Sequence, residues 1–433
     1  MADAKNLILE LFQAALAAVE PAAAVRAHLT CHDGGIAVDD QFVPVPGRLL
    51  VVGAGKASIA MARGVEAVCG DLVDAGIVIT TDGHERDDQP VSIAVRAARH
   101  PIPDQRGVEA TRELLRLVRD ARAGDIVLAV ISGGGSALLE APRPPVTLEE
   151  MGTTTDLLLR AGAPIQDLNA VRTPLSEVKG GGLRRAAGEA TVVTLILSDV
   201  LGNDPRVIAS GPTVPGAADG ATALAILDRY GVTGETPRAV LDLLRSDSAI
   251  PPSAPASERD ILAIIADNDT AVNAAREAAE TRGLTARVIW SERTGEASEL
   301  GREWVRACAN APAGTQVLLG GGEATVTVRG EGAGGRNTEF ALAAAEELNR
   351  IHLSDWTVAS LATDGVDGKA DAAGAIADAG TIARAGEQGI DPGAALAEND
   401  SATVFANVGG LVKTGPTGTN VNDLYIAIRQ PRG

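Results

Sequence analysis

The 433-residue chain is longer than the roughly 250–300 residues at which a single hydrophobic core stops growing, so two domains are expected. Its 45% hydrophobic and 22% charged residues are ordinary for a globular protein, and no stretch approaches the ~20 uninterrupted apolar residues of a bilayer crossing, so a membrane partner is excluded. A formal charge of -19 repels nucleic-acid phosphates and excludes nucleic acid as a partner.

Ile8, Leu11, Phe12, Ala15, Leu16 and Val19 recur at helical spacing and Pro21 follows them, which predicts an amphipathic helix. The start lacks the basic cluster and continuous apolar core of a secretory signal, so a cytoplasmic location is expected. Cys31, Cys69 and Cys308 are odd in number and widely separated. That suits reduced thiols, and their spacing is not that of metal ligands.

Short apolar runs at Leu49 to Val52, Ile77 to Ile79, Ile126 to Ile131 and Val192 to Leu197 read as buried parallel strands. Helical stretches at Ala57 to Val68 and Gly107 to Arg122 alternate with them. The first part, residues 1–248, is therefore predicted to be a Rossmann-like, doubly wound α/β domain. The Pro-rich segment Ser246 to Ser257 reads as an inter-domain connection. Beyond it, residues 249–433 are predicted to form a second α/β domain. Its strands are expected at Ile261 to Ala266, Val288 to Trp290, Val317 to Leu319, Thr325 to Val328, Val358 to Leu361 and Leu424 to Ile428. Its helices are expected at Thr270 to Arg282, Ser298 to Ala309, Asn337 to Arg350 and Thr381 to Gln388.

Glycine clusters where strands are predicted to end, at Gly53-Ala54-Gly55-Lys56, Gly133-Gly134-Gly135-Ser136, Gly180 to Gly182, Gly320 to Gly322 and Gly332 to Gly335. Such loops let backbone N–H groups approach an anion, and several together suggest phosphates, although each could be a tight turn. The first loop departs from a dinucleotide fingerprint, with Ser58 at a glycine position and Asp82 too far along. Residues 330–337 have P-loop glycine spacing, but Arg336 and Asn337 replace the Lys and the Ser or Thr, so a guanidinium meets the phosphoryl group instead. Only five of the 38 basic residues are lysines, Lys413 among them, and Lys56 and Lys179 adjoin glycine. Ser136 lacks the Gly-x-Ser-x-Gly elbow of a hydrolase nucleophile.

Phosphoryl transfer needs Mg²⁺, oxygen ligands for it and cations for the moving charge. Asp199 follows the strand at Val192 to Leu197, the place where doubly wound sheets bind ligands, and Asp204 comes next. Asp364 and Asp367 follow another strand, and Glu323 closes a triple-glycine turn.

Taken in order, Val51 to Ser58, His100 to Asp104, Ser132 to Leu138, Lys179 to Leu183, Ser198 to Val200, Gly320 to Glu323, Gly334 to Asn337, Ala362 to Gly368 and Thr414 to Val421 resemble the glycerate 2-kinases of the bacterial and animal type. That family has an N-terminal Rossmann-like domain and a C-terminal MOFRL domain. The resemblance implies ATP- and Mg²⁺-dependent phosphorylation of D-glycerate to 2-phospho-D-glycerate in a cleft between the domains. It puts the key lysine, arginine and aspartate at Lys56, Arg336 and Asp199, with Asp199 as metal ligand or base. Candidates for nucleotide or substrate binding are Gly53, Gly55, Ser58, Gly133, Gly134, Gly135, Ser136, Lys179, Glu323, Asn337 and Asp364. An NAD(P)-dependent hydroxypyruvate reductase and a kinase of a related sugar acid are the alternatives. The oligomeric state stays open, with a homodimer among the options.

Overall fold

The structure, a computed structural model, describes residues 2–32, 34–84, 89–216, 219–246 and 257–430. It divides into two compact units, one of Pro21–Leu197 and Asn203–Ile265, the other of Met1–Glu20, Ser198–Gly202 and Ala266–Gly433.

The first unit opens with a small antiparallel sheet, β1 (Leu29–His32), β2 (Gly35–Val38) and β3 (Gln41–Pro44). Its main sheet holds β4 (Leu49–Ala54), β5 (Val73–Thr81), β6 (Ile93–Ala98), β7 (Ile126–Ile131), β8 (Thr191–Leu197) and β9 (Ile261–Ala266), in the order β6-β5-β4-β7-β8-β9. The pairings from β6 through β8 are all parallel. Every residue of β4 and β7 is buried, because helices cover both faces of such a sheet and polar alternation would be costly. One covering helix, Gln105–Arg119, is capped by Asp104, whose carboxylate accepts from Gly107 N at 3.0 Å, and it buries Val108, Leu114, Leu115 and Val118. The strand order reverses between β4 and β7, so the loops after these two strands emerge together at the sheet's switch point.

Two expectations change here. The run Ile261 to Ala266 completes the first sheet rather than opening a second. The adjacent Asp260 carboxylate ties it there, accepting from Val192 N at 2.9 Å and from Arg184 Nε at 2.5 Å. Of the expected Pro-rich connection, residues 247–256 lie outside the described residues. The cysteines also differ from the reduced set expected. Cys31 and Cys69 form a disulfide, because β1 and the last turn of the helix Ser58–Cys69 lie side by side with Cα atoms 5.4 Å apart, while Cys308 is free and buried.

The second unit is built on β10 (Ala286–Glu296), β11 (Val317–Thr325), β12 (Trp356–Ala362), β13 (Gly374–Asp378), β14 (Leu411–Val412) and β15 (Asp423–Arg429), in the order β10-β11-β15-β12-β13-β14. Only the β10–β11 pair is parallel. The helix Arg336–Arg350 is alanine-rich and so lies close on β12 and β13. The helix Asn268–Thr281 packs on β10 and β11, and Ala2–Ala18 packs on that helix and on β15. Phe340 stacks on Tyr425 with ring centroids 4.7 Å apart, and Trp290 and Trp304 close the same cluster. Thr325 to Val328 is not a separate strand. β11 runs unbroken from Val317 to Thr325 and carries Gly320–Gly322 within it, where a Cβ on Gly321 would overlap the Asn268 side chain. Glu323 therefore sits on a strand, not at a turn. Among the described residues no single helix is long and apolar enough to cross a membrane.

Candidate active site

At the switch point of the first sheet, Gly53 and Gly55 allow β4 and β7 to close on each other. A Cβ on Gly55, whose φ is +137°, would overlap Ser132 Oγ. The backbone donors of this loop are used within the chain. Gly55 N donates to Ile79 O, Lys56 N to Gly133 O, Ala57 N to Ser132 Oγ and Ser58 N to Gly55 O, all at 2.9–3.1 Å. The loop is thus a packing device, and Ser58 Oγ turns inward to Ile79 O. What it offers a ligand is the Lys56 side chain. A Cβ on Gly134 would lie 3.5 Å from Lys56 Cγ and 3.2 Å from His100 Nε2, so Gly134, Lys56 and His100 form one cluster. Burial first, and then the Lys56 charge, hold the His100 imidazole below its usual range.

Beside this cluster, Lys179 is wholly buried, with a side-chain exposure of 0%. Its Nζ donates to Ser136 O at 2.6 Å and Ser136 Oγ at 3.1 Å and stands 3.3 Å from Glu140 Oε2. Burial brings its ammonium down to about 8, against the opposing pull of Glu140. Gly180 N and Gly181 N are bonded to Ser210 O and Gly211 O, so this glycine run also packs against its own chain.

In the second unit, Arg336 opens the helix Arg336–Arg350. Its Nε and Nη2 donate to the two oxygens of Asp423, at 2.6 and 3.0 Å, and Nη1 lies 3.9 Å from Glu323 Oε1. Asp423 is fully buried at the start of β15, whereas Arg336 is 27% exposed. Burial opposes the Arg336 charge, but Asp423 and then Glu323 outweigh it and raise the guanidinium above its ordinary value. The helix start is already occupied by an anion of the chain. Asp367 accepts from Asn337 N and Thr338 N at 2.8 Å each, and Asn337 Nδ2 reaches Asp423 Oδ1 at 3.0 Å. In the preceding loop, Gly330 N, Gly332 N, Ala333 N and Gly335 N are all bonded to Asn399, Glu398, Asp400 and Thr338. Much of the backbone N–H set of residues 330–337 is therefore engaged within the chain, and Asn337 is a buried support for Asp423 and Asp367.

Glu323 faces the acids Asp423, Asp199 and Asp364. Burial first, then these like charges, push its carboxyl up, with Arg336 opposing. Asp199 follows β8 and Asp364 follows β12, both half-buried, as the sequence placed them. Among the described residues no three His, Cys, Asp or Glu side chains converge as a metal cage. Mg²⁺ does not need one, because it binds through one or two carboxylates and keeps water and phosphate oxygens. Acids that raise one another's proton affinity suit such a cation. A cavity of about 480 Å³ adjoins this cluster, lined by Glu323, Val326, Val328, Arg336, Glu339 and Lys369.

Sequence reasoning missed Asp423, whose only signal was an acid at the mouth of an apolar strand, and Glu140 and Ser210, which carry no local signal. It named Asp367 only as one acid among several, without the capping role.

The profile of a domain of unknown function, DUF4147, matches residues 7–245, and that of the MOFRL family matches residues 316–423. The chain is 37% identical to a D-glycerate 2-kinase of Thermotoga maritima, covering 98% of both sequences. It is 39% identical to an Agrobacterium vitis relative with the provisional name hydroxypyruvate reductase, covering 98% of this chain and 94% of that one. The crystal structure of a Thermotoga maritima glycerate kinase superposes with a TM-score of 0.88 at 35% identity, covering 98% of this chain and 99% of that one. With DUF4147 and MOFRL regions in order and kinship along nearly its whole length, the chain belongs to the glycerate 2-kinase family.

Proposed function

We propose that the protein transfers a phosphoryl group from ATP to the 2-hydroxyl of D-glycerate, releasing 2-phospho-D-glycerate and ADP. The observation that carries this reading is the Arg336 site. A guanidinium is locked in one orientation by a buried carboxylate yet stays partly open to solvent, beside acids suited to a divalent cation. Donors fixed before the reaction stabilise developing charge without reorganising, the largest contribution in most phosphoryl-transfer sites.

In this reading Lys56 and Arg336 supply the positive charge for the moving phosphoryl group and the substrate carboxylate. Asp199 holds Mg²⁺ with Glu323 or Asp364, or takes the proton of the acceptor hydroxyl. The metal, when bound, neutralises charge on the phosphate oxygens.

The provisional reductase name points to a second activity, but the first glycine loop argues against it. Its backbone donors are bonded within the chain and so are not offered to a dinucleotide pyrophosphate. Turnover of Lys56→Ala and Arg336→Ala, checked for folding, tests the assignment. Loss of ADP formation by at least tenfold in each supports it, and wild-type rates in either variant remove that residue from the chemistry.

A further inference from the structure

Ser136 stands between a buried ammonium and solvent. Lys179 sends one N–H to Ser136 O, a second to Ser136 Oγ and turns the third toward Glu140 Oε2, so its three donors are spent. Glu140, 1% exposed, is fixed in turn by Ser176 Oγ at 2.7 Å and Arg172 at 3.5 Å. On the other side, Ser136 Oγ lies 2.8 Å from Ser210 Oγ. Ser210 is held in a left-handed stretch with Ala209, Ser210 and Gly211 at φ of +49°, +62° and +59°, a conformation unfavourable for the first two residues.

A hydroxyl has one proton and two lone pairs. Lys179 occupies one lone pair of Ser136 Oγ. When Ser210 donates to the other, the Ser136 proton is directed away from both, on the partly exposed side of a residue adjoining the Gly134, Lys56 and His100 cluster. A buried cation also polarises the O–H bond and strengthens it as a donor to an anion. In the loop after β4 and in the run Gly180–Gly182 the backbone donors are bonded within the chain, so side chains are a ready source of donors to a ligand on this unit.

We propose that Ser136 is a ligand-contacting donor to an anionic oxygen of a substrate, a carboxylate of the hydroxy acid or a phosphate of the nucleotide, and that Lys179 and Ser210 are positioning residues for it. Lys179 does not touch substrate. This assignment rests on the kinase reading above for the identity of the two anions.

The test measures binding and turnover separately on the full chain, using calorimetric titration with D-glycerate or with ATP and steady-state kinetics with each substrate varied. Ser136→Ala is expected to weaken one of the two ligands about tenfold in Kd and KM. Weakened D-glycerate binding identifies the carboxylate, and weakened ATP binding identifies the phosphate. Lys179→Met is expected to weaken the same ligand, with little further loss in the double variant, a coupling that a merely structural role would not produce. Should Lys179→Met fail to fold, Ser136→Ala and Ser210→Ala still decide. Unchanged Kd and KM for both ligands in folded Ser136→Ala overturns the proposal, as does a wild-type protein that binds neither anion. A wild-type protein that binds D-glycerate but releases no ADP removes the kinase reading instead and leaves the Kd comparison standing.

Discussion

Arg336 and Asp423 are joined by two parallel N–H···O bonds, of 2.6 and 3.0 Å, that run from a helix start to a buried strand end. The pair fixes the plane of the guanidinium. Removing the negative partner leaves a buried charge unmatched, which costs about 3 kcal/mol, toward the low end because Arg336 keeps some solvent. Asp423→Asn is therefore expected to lower stability by about that amount in urea denaturation and to cut kcat more than tenfold. A fully active, fully stable Asp423→Asn protein contradicts this.

Asp367 closes the start of the same helix, accepting from two backbone N–H groups and from Thr338 Oγ1. Asp367→Ala loses a helix cap and leaves buried donors unsatisfied, for a destabilisation of about 2 kcal/mol. Asp367→Asn is expected to recover part of this, and equal melting of the two variants would speak against the cap.

Much of this architecture was legible in the sequence. β4, β7 and β8 are continuous apolar runs because they are buried on both faces, and Asp199 and Asp364 stand at strand ends that a doubly wound sheet or its neighbour exposes. The rest depends on contacts distant in sequence. Asp423 pairs with Arg336 across 87 positions, and Lys179 meets Ser136 across 43. The glycine loops after β4 and before Arg336 serve the chain's own packing for a physical reason. Glycine permits close approach of any partner, and here the partner is the chain's own backbone or a side chain such as Ser132 or Asp367.

His100 reports on Lys56. Its imidazole is held low by burial first and by the Lys56 charge second. Lys56→Met removes the second cause alone, so the His100 titration followed by NMR should move up part of the way toward its ordinary value. No movement would separate the two side chains.

Lys179 gives a pH signature. Its folded value is lowered to about 8 from 10.5, so the buried ammonium is a full burden below pH 8 and is relieved as the pH rises toward 10.5. Across that window the folded state has lost its proton while the unfolded chain still binds it, so stability rises with pH. Relative to Lys179→Met, the wild-type protein is expected to gain roughly 3 kcal/mol between those limits. A difference that stays flat with pH contradicts the burial.

The Cys31–Cys69 bond spans 38 positions. Thiol titration of denatured, unreduced protein is expected to find one free thiol, Cys308, and Cys31→Ser should cost about 3 kcal/mol of stability. Three free thiols would show the pair reduced.

The central claim is tested most directly by incubating the purified protein with ATP, Mg²⁺ and D-glycerate while coupling ADP release to one assay and the product to enolase in another, with no mutase added. Glycerate-dependent ADP together with direct conversion by enolase is the predicted result, because only the 2-phosphate is an enolase substrate. Absence of ADP, with NADH or NADPH consumed in the presence of hydroxypyruvate, would contradict it.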